Sequence, residues 1–448
     1  MKKNVQDFSQ GNLWSQILRF SIPLVLSNLL QVLFNMADIA VVGQFAGAGA
    51  LGSVGSTSIL IVLFTTLLIG VAGGINVLVA QAIGAKNEKD IKEVVHNSAF
   101  VSVVVGALLL FIGLFFGRTI LIFLNTKEEL LHGAVIYLKI YFLGMPALAV
   151  YNFGNAVLSA AGDTRRPLIY LSFAGVVNVV LNLFLVIVFH LDEAGVAIAS
   201  IVSQYISAIL VMRALMKSQE TFAFRFRELH LKRNRILAVL SLGIPSGAQN
   251  AIFQLANLFV QRSVNRFSAT MVSGNSAASN ADGLAYETMA AFYTACACFI
   301  GQNYGAGKKD RILKSYFITL AYSFGIGAVI GLALLLFGRS FLSLFTTDED
   351  VIEAGMLRLT VMGFSYAVSA FMDCTIAASR GLGKTVVPTF LVIMGSCVFR
   401  LIWIYTIFEY FQTITSLYLL YVFSWSITAI AEMIYFAKAY RSTTKSFL

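Results

Sequence analysis

Charged residues are scarce in this chain: Asp, Glu, Lys and Arg together make up 12% of its 448 residues. Soluble domains carry about twice that share, roughly 25%. In their place, 58% of the residues are hydrophobic, and the mean hydropathy is +0.81. This composition excludes an ordinary soluble globular domain.

Catalytic and cofactor motifs are also absent from the sequence. The four cysteines all lie inside apolar runs and form no CxxC pair, which is typical of small core residues. The four histidines are scattered without the spacing of metal ligands. With no nucleophile motif and no nucleotide-binding fingerprint, the sequence predicts neither an enzyme nor a cofactor.

Long apolar runs recur along the whole chain, each near the ~20 residues that a helix needs to cross a bilayer. No stretch alternates with a period of two over the length of a barrel strand, so the spans are expected to be helices. The sequence therefore predicts an all-α, polytopic membrane protein. Twelve transmembrane helices are expected at about 16–40, 55–83, 94–124, 131–158, 167–190, 195–217, 236–262, 277–304, 313–337, 351–379, 387–409 and 414–439.

Lys and Arg are concentrated in alternate connections between these runs, for example from Arg213 to Arg235 and around Lys308. The intervening connections carry acidic residues such as Asp192 and Asp348. This positive-inside bias predicts a multi-pass protein of the inner (plasma) membrane with both termini in the cytoplasm. It also favours a lipid bilayer over nucleic acid as the partner of the basic residues.

The two halves of the sequence resemble one another at a nearly constant offset. Ile22-Pro23 falls on Ile244-Pro245, QAIGAKNEKD from Gln81 on QNYGAGKKDR from Gln302, and AAGDTRRP on GLGKTVVP. We therefore expect an amino-terminal six-helix lobe at 1–217, a cytoplasmic linker at 218–235 and a carboxy-terminal lobe at 236–448. An even number of spans per copy makes the repeats parallel, with a substrate cleft between the bundles.

Polar residues form a stripe along the first predicted span. Asn28, Gln31, Asn35 and Asp38 are spaced three, four and three apart, so they share one helix face. In the fifth span, Asn178 and Asn182 lie one turn apart at a similar depth. A carboxylate among amide oxygens can bind Na⁺ or take up a proton. The alternative is a polar packing cluster, which Ser or Thr would usually supply.

The seventh predicted span repeats this stripe as Asn250, Gln254 and Asn257, but Val260 stands where the first half has Asp38. The second half offers other ionisable residues as candidates for a substrate cavity: Glu287, Asp373 and Arg400. Arg400 can neutralise either acid, so a structural ion pair remains as reasonable as a functional role. Glu432, near the end of the last span, is expected to snorkel to the surface.

Prolines stand early in the first span of each half, at Pro23 and Pro245. A proline removes one backbone hydrogen bond and can bend its helix. We therefore consider Pro23 a candidate hinge that couples ion binding at Asp38 to motion.

The combination of these motifs resembles bacterial members of the multidrug and toxic compound extrusion (MATE) family. The resemblance covers the whole chain and includes NMADIAVVG around Asp38, QAIGAKN, QNYGAGK, AAGDT and RGLGKT. It implies two six-helix lobes in a V shape that open alternately to either side of the membrane. It also implies export of cationic or amphipathic drugs in exchange for Na⁺ or H⁺, with Asp38, Asn178 and Asn182 at the coupling site.

One branch of the family binds its ion in the carboxy-terminal lobe instead. Here that lobe has only Gln249 and Gln254 in the seventh span, and Ser369 with Asp373 one turn away in the tenth. The resemblance therefore favours coupling through Asp38.

The leading hypothesis is a secondary active antiporter, expected to act as a monomer, whose partners are H⁺ or Na⁺ and small amphipathic molecules. The alternative is a flippase for a lipid-linked saccharide or another amphiphile. Such proteins usually have a strongly cationic cavity, whereas Arg400 is the one deep cation that the sequence indicates. An enzyme or a receptor is disfavoured, because no catalytic constellation is present and a receptor needs no duplicated, cleft-forming architecture.

Overall fold

A computed structural model describes residues 6–124 and 126–445 of the chain, so the outer ends of the two predicted lobes, 1–5 and 446–448, lie outside the described residues. The α-helices are α1 Leu13–Val41, α2 Gly47–Gly84, α3 Glu88–Phe123, α4 Glu128–Leu143, α5 Met145–Ala160, α6 Arg165–Leu183, α7 Asp192–Lys217, α8 Arg233–Val264, α9 Ala269–Gly305, α10 Lys309–Leu342, α11 Glu349–Gly381, α12 Val386–Val392, α13 Phe399–Trp403, α14 Glu409–Phe411 and α15 Ile414–Thr443. Wider π-helical turns extend α1 to Ala46 and α6 to Val188, and join α12, α13 and α14.

Within these described residues, eleven helical segments are long and apolar enough to cross a membrane. The bent pair α4 and α5 makes a twelfth. Each segment lies over one of the twelve predicted spans, and the described residues contain no strand. The predicted all-α fold with twelve transmembrane helices is therefore confirmed.

Two helices begin earlier than predicted, by about two turns each. The second span begins at Gly47 rather than 55, and the eighth at Ala269 rather than 277. Both starts are rich in Gly, Ala and Ser, which lowers the hydropathy without opposing a helix. Such small residues allow close packing: a Cβ added at Gly274 would lie 2.6 Å from the backbone nitrogen of Gly355 on α11.

The fourth predicted span is broken, and this is a correction to the single helix expected at 131–158. It consists of α4 and α5, which meet at Gly144 with a bend of 43°. Pro146 stands in the first turn of α5, where a backbone N–H would have no partner within the helix, so its absence does not destabilise α5. The same absence prevents Pro146 from continuing the backbone hydrogen bonds of α4. The matching position in α11 is Ala367, and α11 runs unbroken.

The duplication recurs in the backbone conformation. Gly162 and Gly383 occupy matching positions of the two halves, and both have a positive φ, of 90° and 77°. Lys86 and Gly307 also match at the same offset, with φ of 54° and 66°. Left-handed residues are uncommon outside glycine, so their recurrence at matching positions supports a repeated structural unit.

The chain divides into two compact units whose boundaries fall inside helices. Leu26–Gly247 belongs to the first unit, whereas Phe8–Val25 belongs to the second unit together with Ala248–Leu448. Thus α1 passes from the second unit to the first shortly after Pro23, and α8 passes from the first to the second shortly after Pro245. Both helices remain continuous through their prolines.

The connection between α7 and α8 is anchored to α3 within the first unit. The His96 ring bonds the backbone oxygen of Arg225 at 3.0 Å and stacks on Phe224. Asn97 accepts from the backbone nitrogen of Lys232 at 2.8 Å. Outside the membrane spans, a hydrogen bond from Lys92 lowers the pKa of the Glu228 carboxyl in this segment. The connection is therefore an ordered part of the unit rather than a loose tether.

Candidate functional site

Asp38 lies in the last turn of α1, where three helices of the first unit meet. One of its carboxylate oxygens accepts a hydrogen bond from the amide nitrogen of Asn182 on α6. The other accepts from the hydroxyl of Ser200 on α7 at 3.3 Å. The structure thus brings together Asp38 and Asn182, and it adds Ser200, which the sequence analysis did not single out.

The two asparagines of α6 complete this group. Asn182 is fully buried, and its amide nitrogen lies 3.4 Å from the Oδ1 of Asn178 one turn earlier. The Oδ1 of Asn182 is buried without a hydrogen-bond partner in the described part of the chain. Together with Asp38 and Ser200, these oxygens form a compact acceptor set. Such a set suits a small hard cation or a proton.

The remaining polar residues of α1 lie in more open surroundings. Gln31 and Asn35 are exposed, and Asn28 is half-buried. Asp38, by contrast, is held by hydrogen bonds from two neighbouring helices. The exposed amides of the stripe remain accessible to a solute.

The second unit has no carboxylate at the position equivalent to Asp38. Val260 is 2% exposed and packs in the apolar core. On the same helix, Gln254 is exposed and Asn250 is half-buried. Asn257 accepts a hydrogen bond from the Nη1 of Arg400 at 2.8 Å.

Arg400 is fully buried between aromatic and polar side chains. Its guanidinium carbon lies 4.4 Å from the ring centre of Phe253 and 4.8 Å from that of Tyr421. Its Nε donates to the hydroxyl of Ser424 at 3.4 Å, and its Nη2 has no hydrogen-bond partner among the described residues. Aromatic faces thus stabilise a cation that lacks a carboxylate partner in the described chain.

Within the described residues, Arg400 bonds Asn257 and Ser424 and forms no ion pair with Asp373, one of the two acids that it was expected to be able to neutralise. Arg380, on the same helix as Asp373, donates a hydrogen bond to Gln249 at 3.0 Å. Glu432 is fully buried, so the prediction that it snorkels to the surface is wrong. Glu287 is half-buried on α9.

A second group of buried charges was missed by the sequence analysis. Arg358 on α11 is 5% exposed and forms an ion pair with Asp282 on α9. Both lie within about two turns of the start of their predicted spans, 277–304 and 351–379, where charges are usually solvated, so their positions gave no signal. Arg400 is therefore not the one buried cation of this unit.

The described residues contain no group of three or more His, Cys, Asp or Glu side chains that could hold a metal ion. The candidate sites are thus single carboxylates among neutral polar groups, or carboxylates beside one guanidinium. Single carboxylates among amide and hydroxyl oxygens suit a monovalent cation or a proton, whereas structural divalent metals usually take several charged ligands.

Comparison with known proteins gives consistent matches over nearly the whole chain. The MatE family model matches twice, at residues 23–184 and 245–406. A probable multidrug resistance protein, YpnP of Bacillus subtilis, is 30% identical over 363 residues, covering 80% of each chain. An FAD transporter of Shewanella oneidensis is 23% identical over 357 residues, covering 78% of each. The solved structure of a MOP superfamily transporter from Pyrococcus furiosus superposes with a TM-score of 0.92 at 20% identity, over 99% of both chains.

Proposed function

Because the chain belongs to the MatE family, the multidrug and toxic compound extrusion transporters, we propose that it is a secondary active antiporter. In this proposal it exports cationic or amphipathic small molecules in exchange for H⁺ or Na⁺ by alternating access. The protein is a multi-pass membrane transporter with small-molecule substrates. We also propose that both termini lie in the cytoplasm, that the protein acts as a monomer, and that its lobes end at 217 and begin at 236.

The observation that carries this function is the carboxylate of Asp38, held by Asn182 and Ser200 inside a membrane-spanning unit. An ionised carboxylate is costly to keep away from water, so a proton or Na⁺ that neutralises it changes the stability of its surroundings. The hydrogen bonds from α6 and α7 join Asp38 to two other helices. Binding of the ion therefore biases how α1 packs on α6 and α7, which is the differential interaction that coupling requires.

Pro23 supports a mechanical role for the same helix. It lies inside α1, shortly before the helix passes from one compact unit to the other. A helix lacking one backbone hydrogen bond bends more easily at that point. We therefore retain Pro23 as the hinge of the proposed mechanism.

Exposed and half-buried polar side chains are the proposed contacts for the substrate. They are Asn28 and Gln31 on α1, and Asn250, Gln254 and Asn257 on α8, whereas Asn35, one turn before Asp38, belongs to the proposed ion-coupling site with Asp38, Asn178 and Asn182. Amide side chains offer both donors and acceptors, which suits chemically varied amphipathic solutes.

The alternative, transport of an anionic amphiphile such as a lipid-linked saccharide, is favoured by one feature of the second unit. Arg358 and Arg400 are buried on its helices and Arg380 is half-buried, and Arg400 has no carboxylate partner among the described residues. One relative transports FAD by its name, and FAD carries phosphates. Uptake of an anionic rather than a cationic probe that is lost in Arg400→Gln would support this alternative.

The proposed antiport is tested in liposomes containing the purified protein. Ethidium transport is measured with an imposed proton gradient without Na⁺, and then with a Na⁺ gradient at equal pH on both sides. Transport driven by one gradient alone identifies the coupling ion, and transport driven by neither contradicts the proposal.

Asp38→Asn is expected to abolish gradient-driven transport while leaving the melting temperature within a few degrees of the wild type. Asp192→Asn is the matched control, because Asp192 is an exposed carboxylate of the same unit with a positive φ that Asn readily adopts. Full gradient-driven transport by Asp38→Asn would remove the coupling role of Asp38.

A further inference from the structure

Glu432 is a buried carboxyl group with no role in the function proposed above. It lies on α15 four residues after Thr428, which in turn follows Ser424 by four residues, so the three share one helix face. All three are fully buried. This face is a polar stripe inside the second unit.

Glu432 differs from the other two members of this stripe in its hydrogen bonding. The Thr428 hydroxyl lies 2.9 Å from the hydroxyl of Ser396, and Ser424 accepts from Arg400. Both carboxyl oxygens of Glu432, by contrast, are buried without a hydrogen-bond partner among the described residues. One turn away, Ala429 packs in a small apolar cluster with Met372, Ile376 and Val392. An apolar cluster thus lies one helical turn from Glu432.

The charged groups acting on Glu432 are Arg380 and Asp373, both on α11. Of the other segments packed against α15, α12 has no charged residue, and α13 carries Arg400, which is bound to Asn257 and Ser424. The neighbouring π-helical turn contributes Cys397, and Tyr435 lies on α15 itself. On α9, Tyr286 and Glu287 belong to the surroundings of Asp373 and Arg380.

No ion pair joins Arg380 to Asp373 or Glu432 within the described residues, and this guanidinium is bound to Gln249 on α8. The Nη2 of Arg380 donates to Gln249, and its Nε is buried without a partner in the described part of the chain. A buried carboxylate that is neither paired nor hydrogen-bonded is strongly disfavoured relative to the neutral acid. In this conformation the unpartnered carboxyl group of Glu432 is therefore expected to hold a proton.

We propose that Glu432 carries an exchangeable proton, so that the second unit has a coupling site of its own. Release breaks the O–H bond of Glu432, the proton passes to water, and the carboxylate pairs with Arg380 as that guanidinium leaves Gln249. Uptake reverses these steps. The inference rests on the proposed antiport and adds one proton to each transport cycle, besides the ion bound at Asp38.

The repeat explains why this site escapes comparison of the two halves. At the offset that aligns Gln81 with Gln302, Glu432 falls on Val211 of the first unit, which is fully buried. At the offset that aligns the two prolines of α1 and α8, Asp38 falls on Val260, which is also buried. Each unit thus has a carboxyl group on a different helix, at a place where the other has valine.

The direct test is infrared spectroscopy of the purified transporter at neutral pH, in H₂O and after transfer to D₂O. We expect the protonated-carboxyl C=O absorption to contain a component that shifts in D₂O, is lost in Glu432→Gln and returns at a changed frequency in Glu432→Asp, whereas any component from Asp38 remains. Glu409→Gln is the matched control, since Glu409 is an exposed carboxylate of the same unit paired with Arg266. A difference spectrum between the wild type and Glu432→Gln without such a component, or with one that does not shift in D₂O, overturns the proposal.

The second measurement counts protons exchanged per ethidium in liposomes. We expect the ratio to fall by about one in Glu432→Gln and to stay unchanged in Glu409→Gln. An unchanged ratio in Glu432→Gln overturns the coupling role. Full gradient-driven transport by Asp38→Asn, together with loss of the infrared band in Glu432→Gln, would instead contradict the function proposed for Asp38 and leave the Glu432 proton site standing.

Discussion

Arg358 on α11 and Asp282 on α9 form a buried ion pair within the second unit. Tyr366 donates its hydroxyl to the other oxygen of Asp282. Asn275 accepts from the Nη1 of Arg358 at 2.8 Å and from the hydroxyl of Tyr418 on α15 at 3.1 Å. The guanidinium also lies over the Tyr418 ring, 5.3 Å from its centre. One arginine thereby joins three helices of this unit.

Replacing one partner of this pair is expected to lower the stability of the protein more than replacing both. Arg358→Met or Asp282→Leu alone leaves a buried charge unpaired, which costs about 3–5 kcal/mol, whereas the double variant leaves none. Thermal unfolding in detergent should therefore show the double variant melting above both single variants. A double variant that melts lower than either one would show that the pair itself supplies the stability.

Glycines of α10 offer a test of close helix packing. A Cβ added at Gly331 would lie 1.9 Å from the backbone oxygen of Gly363 on α11, so Gly331→Ala must separate the two helices. We expect a destabilisation of about 1–3 kcal/mol, measured by thermal unfolding. Gly325 on the same helix is the control, because a Cβ added there meets nothing within 4 Å. Equal melting temperatures for Gly331→Ala and Gly325→Ala would contradict the packing described for α10 and α11.

The anchoring of the α7–α8 connection can be measured by limited proteolysis. Asn97 binds the backbone of this segment twice, donating to the oxygen of His230 at 3.1 Å and accepting from Lys232. Asn97→Ala removes both bonds, so trypsin should cut after Arg227, Lys232 or Arg233 several-fold faster than in the wild type. Asn234→Ala is the control, since the one hydrogen bond of the Asn234 side chain within the described residues is accepted from the adjacent backbone nitrogen of Arg235. Equal cutting rates would mean that other contacts hold the segment.

The unpaired charge of Arg400 predicts a stabilising substitution. Asn257→Asp places a carboxylate where an amide oxygen now accepts from Arg400 at 2.8 Å. Hydrogen bonds between charged groups contribute about 1.5–3 kcal/mol, so the melting temperature should rise. Asn250→Asp, seven residues or about two turns away on the same helix, should not raise the melting temperature. A lower melting temperature in Asn257→Asp would show that desolvation of the new carboxylate outweighs the pairing.

The number of spans and their repetition could be predicted from the sequence, because both depend on local hydropathy and a constant offset. The proximity of Asp38 to Asn182 was predictable in part, since equal depth on two helices brings polar groups to one level. The hydrogen bond from Ser200 to Asp38 could not be predicted, because the face that α7 turns toward α1 depends on packing. For the same reason, hydropathy gave the depth of Glu432 but not its burial. The pairing of Arg358 with Asp282 joins two helices that are distant in sequence, so it left no local pattern.

The first turns of α1 belong to the second unit, and the first turns of α8 belong to the first unit. Each unit thus contains the start of the helix that leads the other half of the sequence. Residues 8–25 belong with the second half, and the start of α8 up to Gly247 belongs with the first. A protein made of one such half could complete this arrangement only by exchanging its first turns with another copy, as in a domain-swapped dimer. Gene duplication and fusion would preserve that exchange within one polypeptide. Severing the α7–α8 connection should accordingly yield two interlaced fragments that copurify, neither of which contains a whole unit.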